Sequence, residues 1–163
     1  MKIAINGAGV AGPALAYWLL RSGHEVVLLE KAPEFRTGGY VVDFWGVGYT
    51  AVKAAGYLVQ ELRIVDAHGR RVGGFDAGVF RRMANDRFTS VPRGELAKAI
   101  YSTIEGRVET LFSNSIAALE EREGGVRVSF DQGPPRDFDL VVGADGLHSI
   151  VRELAFGPES RFE

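Results

Sequence analysis

Three glycines, Gly7, Gly9 and Gly12, stand in the spacing G-x-G-x-x-G and constrain this chain more than any other feature. They follow an apolar, β-forming run over residues 2–6 and open a stretch whose periodicity predicts a helix, with Ala11, Leu15 and Leu19 expected on one face. Pro13 falls in the first turn of that helix, where a missing N–H costs little, and Gly23 suits its end. Residues 26–29 read as a second buried strand, and Glu30 stands at its carboxyl end. Strand, glycine turn, helix and strand in this order predict a βαβ unit with parallel strands.

Such a turn suits a phosphate. The first glycine lets the chain turn sharply off the strand, the second lets backbone approach a pyrophosphate, and the third lets the helix pack close to the sheet. The helix N-terminus then offers free N–H groups and a positive dipole end. A carboxylate at Glu30 can accept hydrogen bonds from ribose 2′- and 3′-hydroxyls and would repel a 2′-phosphate. The unit therefore favours FAD or NAD over NADP, against the alternative of an ordinary βαβ unit that holds no nucleotide.

Composition narrows the remaining classes. The 163 residues suffice for one domain with a full core, and 19 basic against 21 acidic residues leave no field to attract nucleic acid or an anionic membrane. The pairs Arg70, Arg71 and Arg81, Arg82 read as solvated loop charges. With no cysteine, disulfides, thiolate metal sites and thiol catalysis are excluded. His68 has no second histidine or carboxylate at ligand spacing, so no metal site is expected. The N-terminal apolar run lacks both a spanning length and a signal-peptide pattern, so a cytoplasmic protein with no membrane partner is the expectation.

Along the chain, residues 31–39 form a proline- and glycine-marked loop, on which Arg36 is placed to reach a phosphate or to cap a carbonyl in solvent. Asp43 interrupts a short strand over 40–44 and either faces solvent or lines a polar cleft. A helix over 47–58 interrupted at Gly56, a hairpin of strands 62–66 and 71–76, and a strand over 88–91 complete a stretch without the alternation of a doubly wound sheet. Residues 40–92 thus read as an insertion towards a second, substrate-side layer. Residues 93–105 predict a helix with Leu96, Ile100 and Ile104 on one face, crossing over to a strand at 108–112 beside the second one. Arg93, in its first turn against the dipole, suggests an external anion or a salt bridge. Strands at 115–121 and 126–131 and a run over 137–142 make a meander, and the apolar residues 140–142 read as a strand buried on both faces. That strand stops at a second glycine turn, where Asp145 is placed to cap a helix over 147–156 and, in the functional reading, also to meet a cofactor hydroxyl. His148 and Ser149 follow, with no carboxylate spaced to complete a Ser/His/Asp set, so a hydrolytic triad is not expected.

Taken together, these residues resemble the N-terminal part of the class A flavoprotein monooxygenases, the aromatic hydroxylase group that includes para-hydroxybenzoate hydroxylase and the tetracycline-inactivating monooxygenases. The resemblance rests on G-x-G-x-x-G with Glu30, on R-x-x-L at Arg93 and Leu96, and on D-G-x-x-S-x-x-R at Asp145, Gly146, Ser149 and Arg152; Arg36, Gly38, Gly39 and Asp43 match R-x-G-G-x-x-x-D of the tetracycline-inactivating branch. It implies an α/β, Rossmann-like FAD-binding domain with a parallel sheet, a crossover β-meander and a partial substrate-side insertion. Residues 1–39 and 93–157 would form the FAD-binding fold, 40–92 the insertion, and 158–163 the start of a further substrate domain.

The resemblance further implies FAD as cofactor, held by Gly7, Gly9, Val10, Ala11, Gly12, Glu30, Lys31, Asp43, Arg93, Asp145 and Gly146, with Arg36 helping to receive NAD(P)H as reductant. The implied chemistry is transfer of one oxygen atom through a C4a-hydroperoxyflavin to an aromatic or similarly electron-rich small molecule. The family's later Gly-Asp motif is absent from these 163 residues. The chain therefore reads as a truncated or natural half protein, inactive alone, with self-association or a complementing C-terminal part expected. Two alternatives stand beside this: a non-catalytic nucleotide-binding scaffold and a small NAD-dependent dehydrogenase.

Overall fold

A computed structural model describes residues 1–35, 40–53 and 56–161. The first half of the chain runs β1 (Lys2–Asn6), α1 (Ala11–Arg21), β2 (Glu25–Glu30), β3 (Val41–Trp45), α2 (Gly46–Val52), β4 (Glu61–Val65), β5 (Arg71–Asp76) and α3 (Gly78–Met83). The second half runs β6 (Phe88–Pro92), α4 (Arg93–Tyr101), β7 (Glu109–Phe112), β8 (Ile116–Arg122), β9 (Gly125–Phe130), β10 (Arg136–Phe138), β11 (Leu140–Gly143) and α5 (Ile150–Phe156), before a 3-10 turn at Glu159–Arg161. These group into two compact units, Met1–Thr37 with Leu96–Glu163, and Gly38–Glu95.

The first unit is built on a four-stranded parallel sheet of order β11-β1-β2-β7. Strand alternation sorts its side chains into two layers. Ile3, Ile5, Val26 and Leu28 face Ala16 of α1 together with Ile104 and Val108, while Ala4, Val27 and Leu29 face Ile116, Val128, Phe130, Phe138 and Val151. One side of the sheet is thus covered by α1, the other by the β8-β9-β10 meander and α5. The second unit holds an antiparallel pair, β3 with β6, and the hairpin β4-β5. Among the described residues, no helix is long and apolar enough to cross a membrane.

Several sequence expectations need correction. Ala11 is exposed, and the buried positions of α1 are Gly12, Pro13 and Ala16, with Leu15 and Leu19 packed less deeply; the helix turns its smallest residues inwards because it rides close to the sheet. The run 137–142 is two strands, because the Asp139 N–H donates to Lys2 O at 2.8 Å and its carboxylate accepts the Lys2 N–H at 2.5 Å, which ends antiparallel β10 and starts parallel β11. β11 is the last strand of its sheet, so Leu140 is exposed and Val141 and Val142 are half-buried rather than enclosed on both faces.

The expected helix over 47–58 ends at Val52, because Tyr57 bridges to Ser90 and draws the chain into extended backbone. α4 stops at Tyr101, and turns leading to Gly106 at φ +71° carry Ile104 into the core. α5 begins at Ile150 rather than at 147, since Gly146 takes φ +87° and Ser149 is extended.

Candidate functional site

β1, β2, β7 and β11 all end on one edge of the parallel sheet. Asn6 lies opposite Leu29 on one side and Gly143 on the other. From β1 the chain moves outward to β2 and β7, then returns to β11 on the opposite flank of β1. The turn after β1 therefore sits where the strand order reverses, the place where open α/β sheets form a crevice for ligands.

Gly7 takes φ +107° and donates its N–H to Leu29 O at 2.8 Å, and a Cβ there would lie 2.6 Å from Ala144 O. A Cβ on Gly12 would run into the Gly7 carbonyl and lie 3.3 Å from Leu28 Cδ1. Gly7 is thus fixed by contact as well as by conformation, and Gly12 by contact. Gly9 and Val10 are half-buried. Val10, the N-cap of α1, offers no capping side chain, and the first turn carries no acidic residue. Among the described residues, the positive end of α1 is thus met by no cap or acid of its own first turn.

Glu30 ends β2 beside this turn. Its Oε2 accepts the Ala8 N–H and its Oε1 the Ala32 N–H, both at 2.9 Å. Each oxygen keeps a further lone pair, so the carboxylate is oriented by backbone and still able to accept from two hydroxyls. Lys31, next to it, is exposed.

Asp145 occupies the second glycine turn, after β11. Its Oδ2 accepts from Ile150 N at 2.8 Å, Val151 N at 3.3 Å and Asn6 Nδ2 at 2.9 Å, and its Oδ1 from Ser149 Oγ at 2.5 Å. Ser149 Oγ in turn accepts the Arg152 N–H at 3.0 Å. The carboxylate therefore closes the first turn of α5, with Oδ2 taken up by three protein donors and Oδ1 by one. Gly146 beside it is exposed. Farther along, the ring of His148 lies 3.1 Å from Glu159 Oε2 and, with Arg152, holds the Glu159 carboxyl below its ordinary range.

Asp43 and Arg93 belong to the second unit. Asp43 lies opposite Ser90 in the β3-β6 pair and accepts from its fully buried hydroxyl at 2.6 Å. The Arg93 N–H donates to Tyr40 O at 3.2 Å, and its guanidinium lies 5.4 Å from the centre of the Tyr40 ring. Arg36 lies outside the described residues. The structure thus brings Gly7, Gly12, Glu30 and Asp145 to one sheet edge in the first unit, and gives Asp43 and Arg93 local partners in the second. Sequence reasoning passed over Asn6, Ser115 and Asn114, all buried; the available signal was a polar residue closing an apolar strand. Among the described residues, no group of three or more His, Asp or Glu could hold a metal ion.

No family model matches the sequence. An uncharacterized protein of Mycobacterium tuberculosis (strain ATCC 25618 / H37Rv) is 37% identical over 98% of this chain and 46% of its own length. The FAD-dependent monooxygenase asL4 of Sarocladium schorii is 31% identical over 97% of this chain and 40% of its own length. Among solved structures, tetracycline destructase Tet(51) superposes with a TM-score of 0.73 at 32% identity, over 95% of this chain and 41% of that one. The chain spans less than half the length of these proteins. With its parallel sheet, its paired glycine turns and these likenesses, the chain has a class A flavoprotein monooxygenase-like fold.

Proposed function

We propose that this chain is the FAD-binding part of an NAD(P)H-dependent flavoprotein monooxygenase that hydroxylates an aromatic or similar small molecule. The observation that carries the proposal is the uncapped N-terminus of α1, beside a glycine turn in which Cβ atoms on Gly7 and Gly12 would collide with backbone, next to a carboxylate at Glu30 held by two backbone N–H groups. These residues fit the adenosine half of FAD: backbone N–H groups of residues 9–12 for the pyrophosphate, Glu30 for the ribose hydroxyls. The FAD dependence of the Sarocladium schorii relative supports the same choice of nucleotide.

FAD, when bound, would supply the chemistry of oxygen activation and transfer, with NAD(P)H as the proposed reductant. The chain's own residues bind and orient. Glu30 would fix the ribose and the α1 dipole would stabilise the phosphates, while Asp145, hydrogen-bonded to Asn6, braces the second turn against the first. Arg93, with its charge over the Tyr40 ring, and Asp43 are offered as contacts to the flavin side, and Arg36 as a contact to NAD(P)H. Because the chain spans less than half the length of its relatives, turnover is proposed for the whole protein.

The visible spectrum of the purified chain, with and without added FAD, tests this. A bound-flavin spectrum that weakens in Glu30→Ala is expected. Saturable NAD binding with no flavin affinity would overturn the proposal in favour of a dehydrogenase. NADPH-dependent oxygen uptake is measured beside it, as the readout of the proposed reductant.

A further inference from the structure

One buried amide joins the two glycine turns. Asn6 is 4% exposed and closes β1 after the apolar Ile3, Ala4 and Ile5. Its Oδ1 accepts the Ile116 N–H at 3.3 Å and the Ser115 hydroxyl at 3.4 Å, while its Nδ2 donates to Asp145 Oδ2 at 2.9 Å. The amide orientation follows from chemistry: a backbone N–H can only donate and an ionised carboxylate can only accept, so one end must be oxygen and the other nitrogen. The Asn6 main-chain carbonyl also accepts the Ala144 N–H at 2.8 Å. Asn6 therefore grips the second turn by backbone and side chain, while the residue after it is Gly7, where the first turn begins.

An apolar residue would fill this strand position as well in volume, but could not tie Asp145 to the meander and the first turn at once. Asp145, in turn, presents its other contacts to the N–H groups of Ile150 and Val151 and to Ser149. We propose that Asn6 is a positioning residue for the nucleotide. By holding the Asp145 carboxylate, it locks the two glycine turns into one preformed surface beneath the cofactor. The proposal rests on the FAD site above.

Its test exploits charge. Asp145 is the only titratable side chain hydrogen-bonded to the Asn6 amide among the described residues. Glu30 is engaged by Ala8 and Ala32, and His148 is paired with Glu159. Asn6→Asp keeps the shape but sets a second carboxylate against Asp145, so the wild-type geometry survives only while the pair shares a proton. FAD affinity of the full chain is followed by titration from about pH 5.5 to 8, with far-UV circular dichroism to check folding. Wild type is expected to be flat. Asn6→Asp is expected to lie within about threefold of it at the acid end and to weaken by about tenfold or more at the alkaline end. Asn6→Leu, which keeps the branched outline with bulkier methyl groups and removes the donor, is expected to lose about tenfold or more at every pH.

A flat Asn6→Asp profile, or a folded Asn6→Leu with wild-type affinity, overturns the proposal. If Asn6→Asp does not fold, Asn6→Leu decides alone. If neither folds, Asn6 serves folding rather than positioning and the proposal falls. A wild-type chain that takes up no FAD sinks the FAD site itself, an outcome distinct from any of these.

Discussion

The Glu30 carboxylate accepts the Ala8 N–H at 2.9 Å, which ties the end of β2 to the middle of the first glycine turn. Glu30 thus has two tasks: it shapes the turn and leaves lone pairs for ribose hydroxyls. Glu30→Ala should remove both. Glu30→Gln should keep the shape but turn an NH2 group towards either Ala8 or Ala32, so it is not a neutral replacement. Both variants are expected to bind FAD about tenfold or more weakly, as befits losing charge-assisted hydrogen bonds. Flavin fluorescence titration measures this, and undiminished affinity in Glu30→Ala would remove Glu30 from the site.

Gly12 and Gly23 separate two reasons for a glycine. A methyl on Gly12 would meet the Gly7 carbonyl and crowd Leu28, whereas Gly23 has open space around it and only a left-handed φ of +78°. Gly23→Ala should therefore cost about 1 kcal/mol of strain. Gly12→Ala should cost about 3 kcal/mol or more, because helix and strand must separate. Denaturant unfolding gives the order, and only Gly12→Ala is expected to lose flavin as well.

Asp145→Ala leaves two backbone N–H groups at the start of α5 and the buried Asn6 amide without their acceptor. A loss of about 2–3 kcal/mol in unfolding free energy is expected from those unmet donors. Ser149→Ala removes the cap on the Arg152 N–H and one of the four donors to the Asp145 carboxylate, and should cost about 1 kcal/mol. A reversed order would show that Ser149, rather than Asp145, holds the helix.

What was legible in the sequence was what repeats locally. Residues 2–30 announced strand, turn, helix and strand because periodicity and the three glycines agreed, and residues 108–112 were placed beside the second strand because a crossover helix preceded them. Less could be read where the outcome depends on distant partners. The helix at 47–58 was overridden by the Tyr57–Ser90 bridge, and the enclosure expected for residues 140–142 failed because strand order, which the sequence does not print, sets β11 last in its sheet. Asp145 was singled out as a cap, yet its bond to Asn6 spans 139 positions, and no local pattern carries such a pairing.

The hairpin β4-β5 carries an acid-sensitive turn. Asp66 Oδ1 accepts the N–H groups of His68 and Arg70, both at 2.9 Å, and its Oδ2 accepts Arg70 Nε at 2.8 Å. The Arg70 N–H is the main cause, and its side chain and the His68 N–H add to it; together they hold the Asp66 carboxyl below its ordinary range. A carboxyl depressed in the folded state contributes stability above its unfolded pKa, and loses it as pH falls through the folded value. Amide protection at His68 and Arg70 should therefore be level from neutral pH down to about pH 5 and decline below about pH 4. Asp66→Asn should flatten that decline, since its amide does not titrate. Hydrogen exchange followed by NMR across this range decides the matter: protection that persists unchanged in acid would mean that backbone pairing alone, with the Asp66 N–H donating to Arg70 O at 2.9 Å, holds the turn.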